Sequence, residues 1–148
     1  MNRFANIAFA ALTAFAATLA SGPAAFAADL PGYIYEGNDG SVCGEAWVLN
    51  RITSRFRHQV RHVPNLPNVD IVDFRGVHQS RYLPAGEKWP IARHYCRGQV
   101  ALSDGRDRSI WYLIERGQGF ASMGDNVEFC VAGFDRWMVY NGRCRVLR

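Results

Sequence analysis

The chain has 148 residues, 49% of them apolar and 20% charged, with four cysteines and a formal net charge of +4. That balance excludes fibrous and disordered chains, which need repeats, far more Pro and Gly, or a much larger net charge. The length holds one domain.

The apolar residues are unevenly spread, filling 19 of the first 27 positions. Met1-Asn2-Arg3 makes a short positive start, residues 4–20 are almost wholly apolar, Gly22-Pro23 breaks any helix, and Ala25-Phe26-Ala27 supplies small residues for a signal peptidase. This layout predicts a secretory signal peptide over residues 1–27, a single domain over 28–148, and an exported protein, periplasmic or secreted. The densest apolar run, residues 7–19, is shorter than the roughly 20 residues that span a bilayer, so no stable membrane insertion is expected after cleavage. Loss of Arg3 with the signal lowers the net charge from +4 to +3.

Cys43, Cys96, Cys130 and Cys144 all follow the cleavage site. An even count in an exported chain predicts two disulfides out of three possible pairings. We favour Cys43 with Cys96, tying an early helix to a strand, and Cys130 with Cys144 across C-terminal strands. Their separations contain no Cys-x-x-Cys, so a zinc site on these thiols is disfavoured.

Residues 28–40 are polar and Gly-containing and read as an arm or an edge segment. Over residues 45–63, Val48, Leu49, Ile52, Phe56, Val60 and Val63 recur with helical spacing, and Pro64 and Pro67 end the helix. Residues 69–77 and 92–103 read as strands, the second with Ala92, His94, Cys96, Val100 and Leu102 on one side of a period-two pattern. Asp104-Gly105 opens a turn, residues 110–115 are apolar on both faces, Gly117-Gln118-Gly119 breaks the chain, and residues 127–134 alternate again. Asn141-Gly142 between residues 137–140 and 143–147 predicts a two-residue hairpin. The sum is an α+β domain, one amphipathic helix packed on an antiparallel sheet of four to five strands and stapled by disulfides. This arrangement is similar in outline to cystatin-like helix-on-sheet folds, and the opposite face of such a sheet can form a groove.

On the helical wheel Arg51, Arg55, His58 and His62 fall within roughly 60° beside the apolar stripe. Four basic or titratable groups on one flank suit an acidic protein surface or an anionic ligand; the competing reading is a solvated face whose Arg stems cover apolar neighbours. His58 and His62 stand at the i, i+4 separation that lets two imidazoles meet one metal ion, but surrounding arginines would repel a cation and no Glu lies between them, so neither a metal nor any other cofactor is expected. The glycines at 117, 119 and 124 match no phosphate-binding loop, the serines no nucleophile elbow, and no carboxylate pair stands out as acid and base. After residue 27 the basic residues are all Arg except Lys88; planar Arg suits bidentate anion contacts and stacking on aromatics such as Trp111 and Trp137. Export argues against nucleic acid as a partner.

The segment from Tyr112 through Gly117-Gln118-Gly119-Phe120 to Cys130, with Trp137 to Tyr140 and Arg143-Cys144-Arg145 behind it, resembles small exported proteins of unknown function found in rhizobium-like alphaproteobacteria. The resemblance includes the Cys43 region and the Arg55-Phe56 helix. It implies export and carries no catalytic residue across. The expectation is therefore a non-enzymatic binding module that uses its sheet face or its basic helix flank. Two alternatives stand beside it: a small envelope hydrolase assembled from His78, His94 and Asp135, and an inhibitor of a secreted enzyme that presents an apolar loop over residues 120–123.

Overall fold

The computed structural model describes residues 41–148. The signal peptide expected over 1–27 and the polar lead over 28–40 lie outside the described residues.

Helix α1 spans Ala46–His62, within one residue of the predicted bounds at each end. Val48, Leu49, Ile52, Phe56 and Val60 are its buried positions, so the apolar stripe is what the helix buries. Arg61 and His62 occupy the last turn, where cations favour the helix dipole. Val63 is already extended at φ −88° and ψ 119°, because the ring of Pro64 disfavours helical geometry in the residue before it.

Four strands follow as an antiparallel meander in the order of the chain: β1 Ile71–Leu83, β2 Arg93–Leu102, β3 Asp107–Glu115 and β4 Asn126–Val131. One face of the sheet carries Phe74, Val77, Val100, Ile110, Tyr112, Ile114, Val127 and Val131 against the helix stripe, and this is the main core. The Tyr112 hydroxyl, fully buried, donates to the Cys43 carbonyl at 2.8 Å. Phe56 meets Phe134 edge to face, with ring centroids 4.9 Å apart.

Strand β1 runs six residues beyond the predicted end at Val77. Its register with β2 shifts between Ile71 and Asp73, Arg75 and His78, and Gln79 and Arg81. Each bulge changes which residues face the core, so the sequence loses its alternation while the pairing continues. Gly76 sits in the second bulge at φ +57°, a conformation that costs glycine little.

The C-terminal hairpin does not form. Asn141 and Gly142 adopt positive φ, 59° and 63°, as an Asn-Gly turn requires, but the flanking residues are turns and a 3-10 helix over Arg145–Leu147. Gly133, at φ +90°, turns the chain just beyond β4, and Phe134 after it still packs on the helix. The segment then folds over the other face, where Cys144 and Leu147 join Leu113 and Cys130 in a second, smaller apolar cluster. The sheet accordingly has four strands among the described residues, and Cys144 reaches Cys130 from a turn.

Both favoured disulfides are present. Cys43 joins Cys96 and Cys130 joins Cys144, with Cα atoms 5.8 and 5.5 Å apart. The first links the turn before α1 to the centre of β2, and the second pins the C-terminal segment to β4. Among the described residues no helix is long and apolar enough to cross a membrane.

Candidate functional site on the open sheet face

The basic flank of α1 lies along the outer edge of β4. Arg51 donates through Nη1 to the Asp125 carbonyl, Arg55 to the Val127 carbonyl at 2.6 Å, and Gln59 to the Phe134 carbonyl at 2.9 Å. These are carbonyls of an edge strand, of the residue before it and of the turn after it. The side chains therefore close an edge that would otherwise offer unpaired acceptors to another chain. His58 and His62 do not join this clamp. Their exposed rings stack with centroids 3.9 Å apart, and His62 Nδ1 lies 2.7 Å from the His58 carbonyl. Among the described residues no cluster of three His, Cys, Asp or Glu side chains is placed to hold a metal ion.

The three residues of the hydrolase alternative stand on separate parts of the fold. His78 faces the open side of the sheet. His94 is half-buried, with Nδ1 2.8 Å from Gln79 Oε1 and its ring tilted against Tyr82; burial first, and then the positive charge of Arg116, hold its pKa below the ordinary value of 6.5. Asp135 lies beyond β4, beside a cavity of about 240 Å³ between the C-terminal half of α1 and residues 134–140. Its Oδ1 accepts from the Tyr140 amide at 3.3 Å, and its buried Oδ2 has no hydrogen-bond partner among the described residues. Burial, and then the nearby charges of Glu128 and Asp135, push the Tyr140 hydroxyl pKa up.

The face of the sheet away from the helix, which the C-terminal segment covers in part and leaves open elsewhere, carries a different constellation. Period-two alternation along β2 sends Cys96 and Val100 to the core and Arg93, Tyr95, Arg97 and Gln99 outward. Register brings Arg81 opposite Tyr95, His78 opposite Arg97, and Arg75 opposite Gln99 on β1; on β3, Leu113, Trp111 and Ser109 continue the same three rows. A cleft of about 450 Å³ opens here, lined by Arg75, His78, Arg97, Gln99, Ser109 and Trp111.

The charges on this face divide into two groups. Arg75 pairs with Asp73 at 2.9 Å and Asp107 at 3.3 Å, and Arg93 with Glu115 at 2.9 Å. The hydrogen bond from Arg93 to Glu115 raises the guanidinium pKa despite the opposing effect of burial. Arg81, Arg97 and Arg148 are exposed and, among the described residues, form no ion pair. Each is held in place instead. The Arg81 guanidinium lies 3.7 Å from the Tyr95 ring centroid and that of Arg148 4.5 Å from the Trp111 centroid. Arg97 Nε donates to His78 Nε2 at 2.6 Å, and His78 Nδ1 is 2.7 Å from the Gly76 carbonyl. Both contacts are satisfied by a neutral imidazole with its proton on Nδ1. Among the described residues the two terminal amino groups of Arg97 make no hydrogen bond and remain as donors with fork geometry.

Arg75, Arg81, Arg97 and Arg148 were not among the residues singled out by sequence. The signal for Arg97 is the other parity of β2, Arg93-x-Tyr95-x-Arg97-x-Gln99. The bulges hide Arg75 and Arg81, and nothing local links Arg148 to Trp111. Comparison with known proteins is silent: no family model, no curated protein and no solved structure matches the chain.

Proposed function

We propose that the protein is an exported, non-enzymatic binding module that takes an anionic ligand on its open sheet face. The observation that carries this reading is the trio Arg81, Arg97 and Arg148, cations held in fixed positions that form no ion pair among the described residues. Orientation by stacking or by His78 lowers the side-chain entropy lost when an anion binds. The helix flank is the weaker candidate, because Arg51 and Arg55 already donate to β4. Two disulfides and the sequence of residues 1–27 support export. The separate locations of His78, His94 and Asp135 favour binding over hydrolysis.

The test is a titration with sodium sulfate against sodium chloride at matched ionic strength, followed by NMR of the arginine Nε–H and tryptophan indole signals. Sulfate-specific shifts at Arg97 and Trp111 are expected. Shifts confined to Arg51 and Arg55, or none beyond those seen with chloride, would refute the reading.

A second reading rests on its own observation. Phe120 is 93% exposed and Met123 73%, in the loop between β3 and β4, and such apolar exposure marks contact surfaces. An inhibitor docking this loop into another secreted protein would lose that partner on Phe120→Ser and keep its sulfate response.

A further inference from the structure

Arg97 has two edges on which to meet an anion, and His78 occupies one of them. A guanidinium offers a fork made by its two terminal amino groups and another made by Nε with the terminal amino group beside it. His78 Nε2 sits on the second fork, 2.6 Å from Arg97 Nε. The backbone of β1 sets the ring for this contact. Its register slips between Arg75 and His78, Gly76 takes φ +57° within the slip, and the Gly76 carbonyl stands 2.7 Å from His78 Nδ1. With the Nδ1 proton given to that carbonyl, Nε2 keeps the lone pair that accepts from Arg97.

Protonation removes the lone pair. Nε2 then carries an N–H that faces Arg97 Nε–H, and two cationic donors confront each other across the former bond. The cleft offers the new charge no carboxylate among the described residues. From β1 it is lined by Arg75, whose charge is matched by Asp73 and by Asp107 of β3. From β2 come Arg97 itself and Gln99, which donates to Ser109 of β3 at 3.2 Å. Trp111 of β3 completes the lining, with the Arg148 guanidinium of the C-terminal segment over its ring. An oxoanion entering between the two side chains supplies the missing acceptor. It takes hydrogen bonds from Arg97 Nε, from the adjacent terminal amino group and from His78 Nε2–H, three bonds between opposite charges in place of one to a neutral ring.

Resting on the anion-binding reading above, we infer that His78 and Arg97 form a proton-coupled subsite for a single oxoanion, which the protein binds together with one proton on His78. Because the bound state holds the extra proton, anion affinity rises as pH falls through the histidine range.

Sulfate, which keeps its charge throughout that range, is titrated at about pH 7.5 and about pH 5.5 at matched ionic strength, with affinity read from the Arg97 Nε–H and Trp111 indole signals. Binding should be about tenfold tighter at the lower pH. Calorimetry in buffers of different ionisation heat should show net uptake of up to about one proton per sulfate. Nitrogen NMR of the imidazole in the sulfate-free protein at the higher pH should place the His78 proton on Nδ1. His78→Gln, with its fold checked by circular dichroism and thermal midpoint, should bring the ratio of the two affinities to about one. His58→Gln with His62→Gln, on α1 and away from the cleft, should leave it at about tenfold. Equal affinity at the two pH values, no proton uptake, a His78 proton on Nε2, a ratio that survives His78→Gln or one lost in the His58, His62 variant overturns the inference. A sulfate response at Arg97 that does not change with pH leaves the anion-binding reading standing without it. No sulfate response at either pH removes both.

Discussion

Replacing Arg51 and Arg55 together by methionine separates a structural role of the helix flank from a ligand-binding one. Methionine keeps most of the apolar stem and removes the donors to the Asp125 and Val127 carbonyls. A hydrogen bond from a charged donor contributes about 1.5–3 kcal/mol where solvent is excluded. Arg55 is exposed and Arg51 half-buried, so water can replace each donor at the carbonyl, and about 0.5–1 kcal/mol per bond is the appropriate scale. The double variant should therefore lose about 1–2 kcal/mol in urea unfolding, with an unchanged m-value, and about 4–8 °C in Tm for each kcal/mol in a domain of about 100 residues. Its response to sulfate at Arg97 and Trp111 should equal that of the parent. Arg81→Gln with Arg97→Gln should do the reverse, keeping stability and losing the response. If the Arg51→Met, Arg55→Met protein kept its stability and lost the anion response, the assignment of the flank to the fold and of the sheet face to binding would be wrong.

Three further predictions concern the scaffold. Phe56→Ala removes a fully buried ring and its edge-to-face contact with Phe134, and should cost about 3–5 kcal/mol by denaturant unfolding; a loss under about 1 kcal/mol would show that the helix and the 134 turn are not packed as described. The Cys43–Cys96 bridge closes 53 residues and Cys130–Cys144 closes 14, so chain entropy predicts stabilisation of about 4 and about 3 kcal/mol respectively. Paired Cys→Ala variants should fall in that order, and removal of the second bridge should also raise the quenching of Trp111 fluorescence by acrylamide. His94 titrates below its ordinary value in the folded protein, so as pH falls through about 6.5 the unfolded state takes up its proton first and stability declines. His94→Gln should flatten the fall in Tm between about pH 7 and pH 5; an equally steep fall would mean that His94 charges as readily folded as unfolded.

Local signals account for much of this fold. The 45–63 periodicity, closed by Pro64, marks α1 to within one residue because a helix is stabilised by contacts close in sequence. The strand cores were visible as β-branched or alternating runs for the same reason, and four cysteines behind an N-terminal run that reads as an export signal pointed to the two bridges observed. Where the chain is shaped by distant partners, local reading stops. β1 continues past Val77 because β2 pairs with it through three register shifts. Asn141-Gly142 does adopt the left-handed conformation expected of a hairpin turn, yet its neighbours are drawn away by the bond from Cys144 to Cys130 and by burial of Leu147.

The charge was legible as an amount and not as a place. By itself the sequence determined an arginine-rich domain with one helix, an antiparallel sheet and two staples, since composition, periodicity and cysteine count are properties of the chain. Only the tertiary structure decided which arginines are occupied. Arg51 and Arg55 share a helical face with His58 and His62, but the edge of β4 engages the first two and leaves the histidines in solvent. Arg81, Arg97 and Arg148, scattered over 67 positions, meet on one face because strand pairing and the returning C-terminal segment bring Tyr95 and Trp111 beneath them.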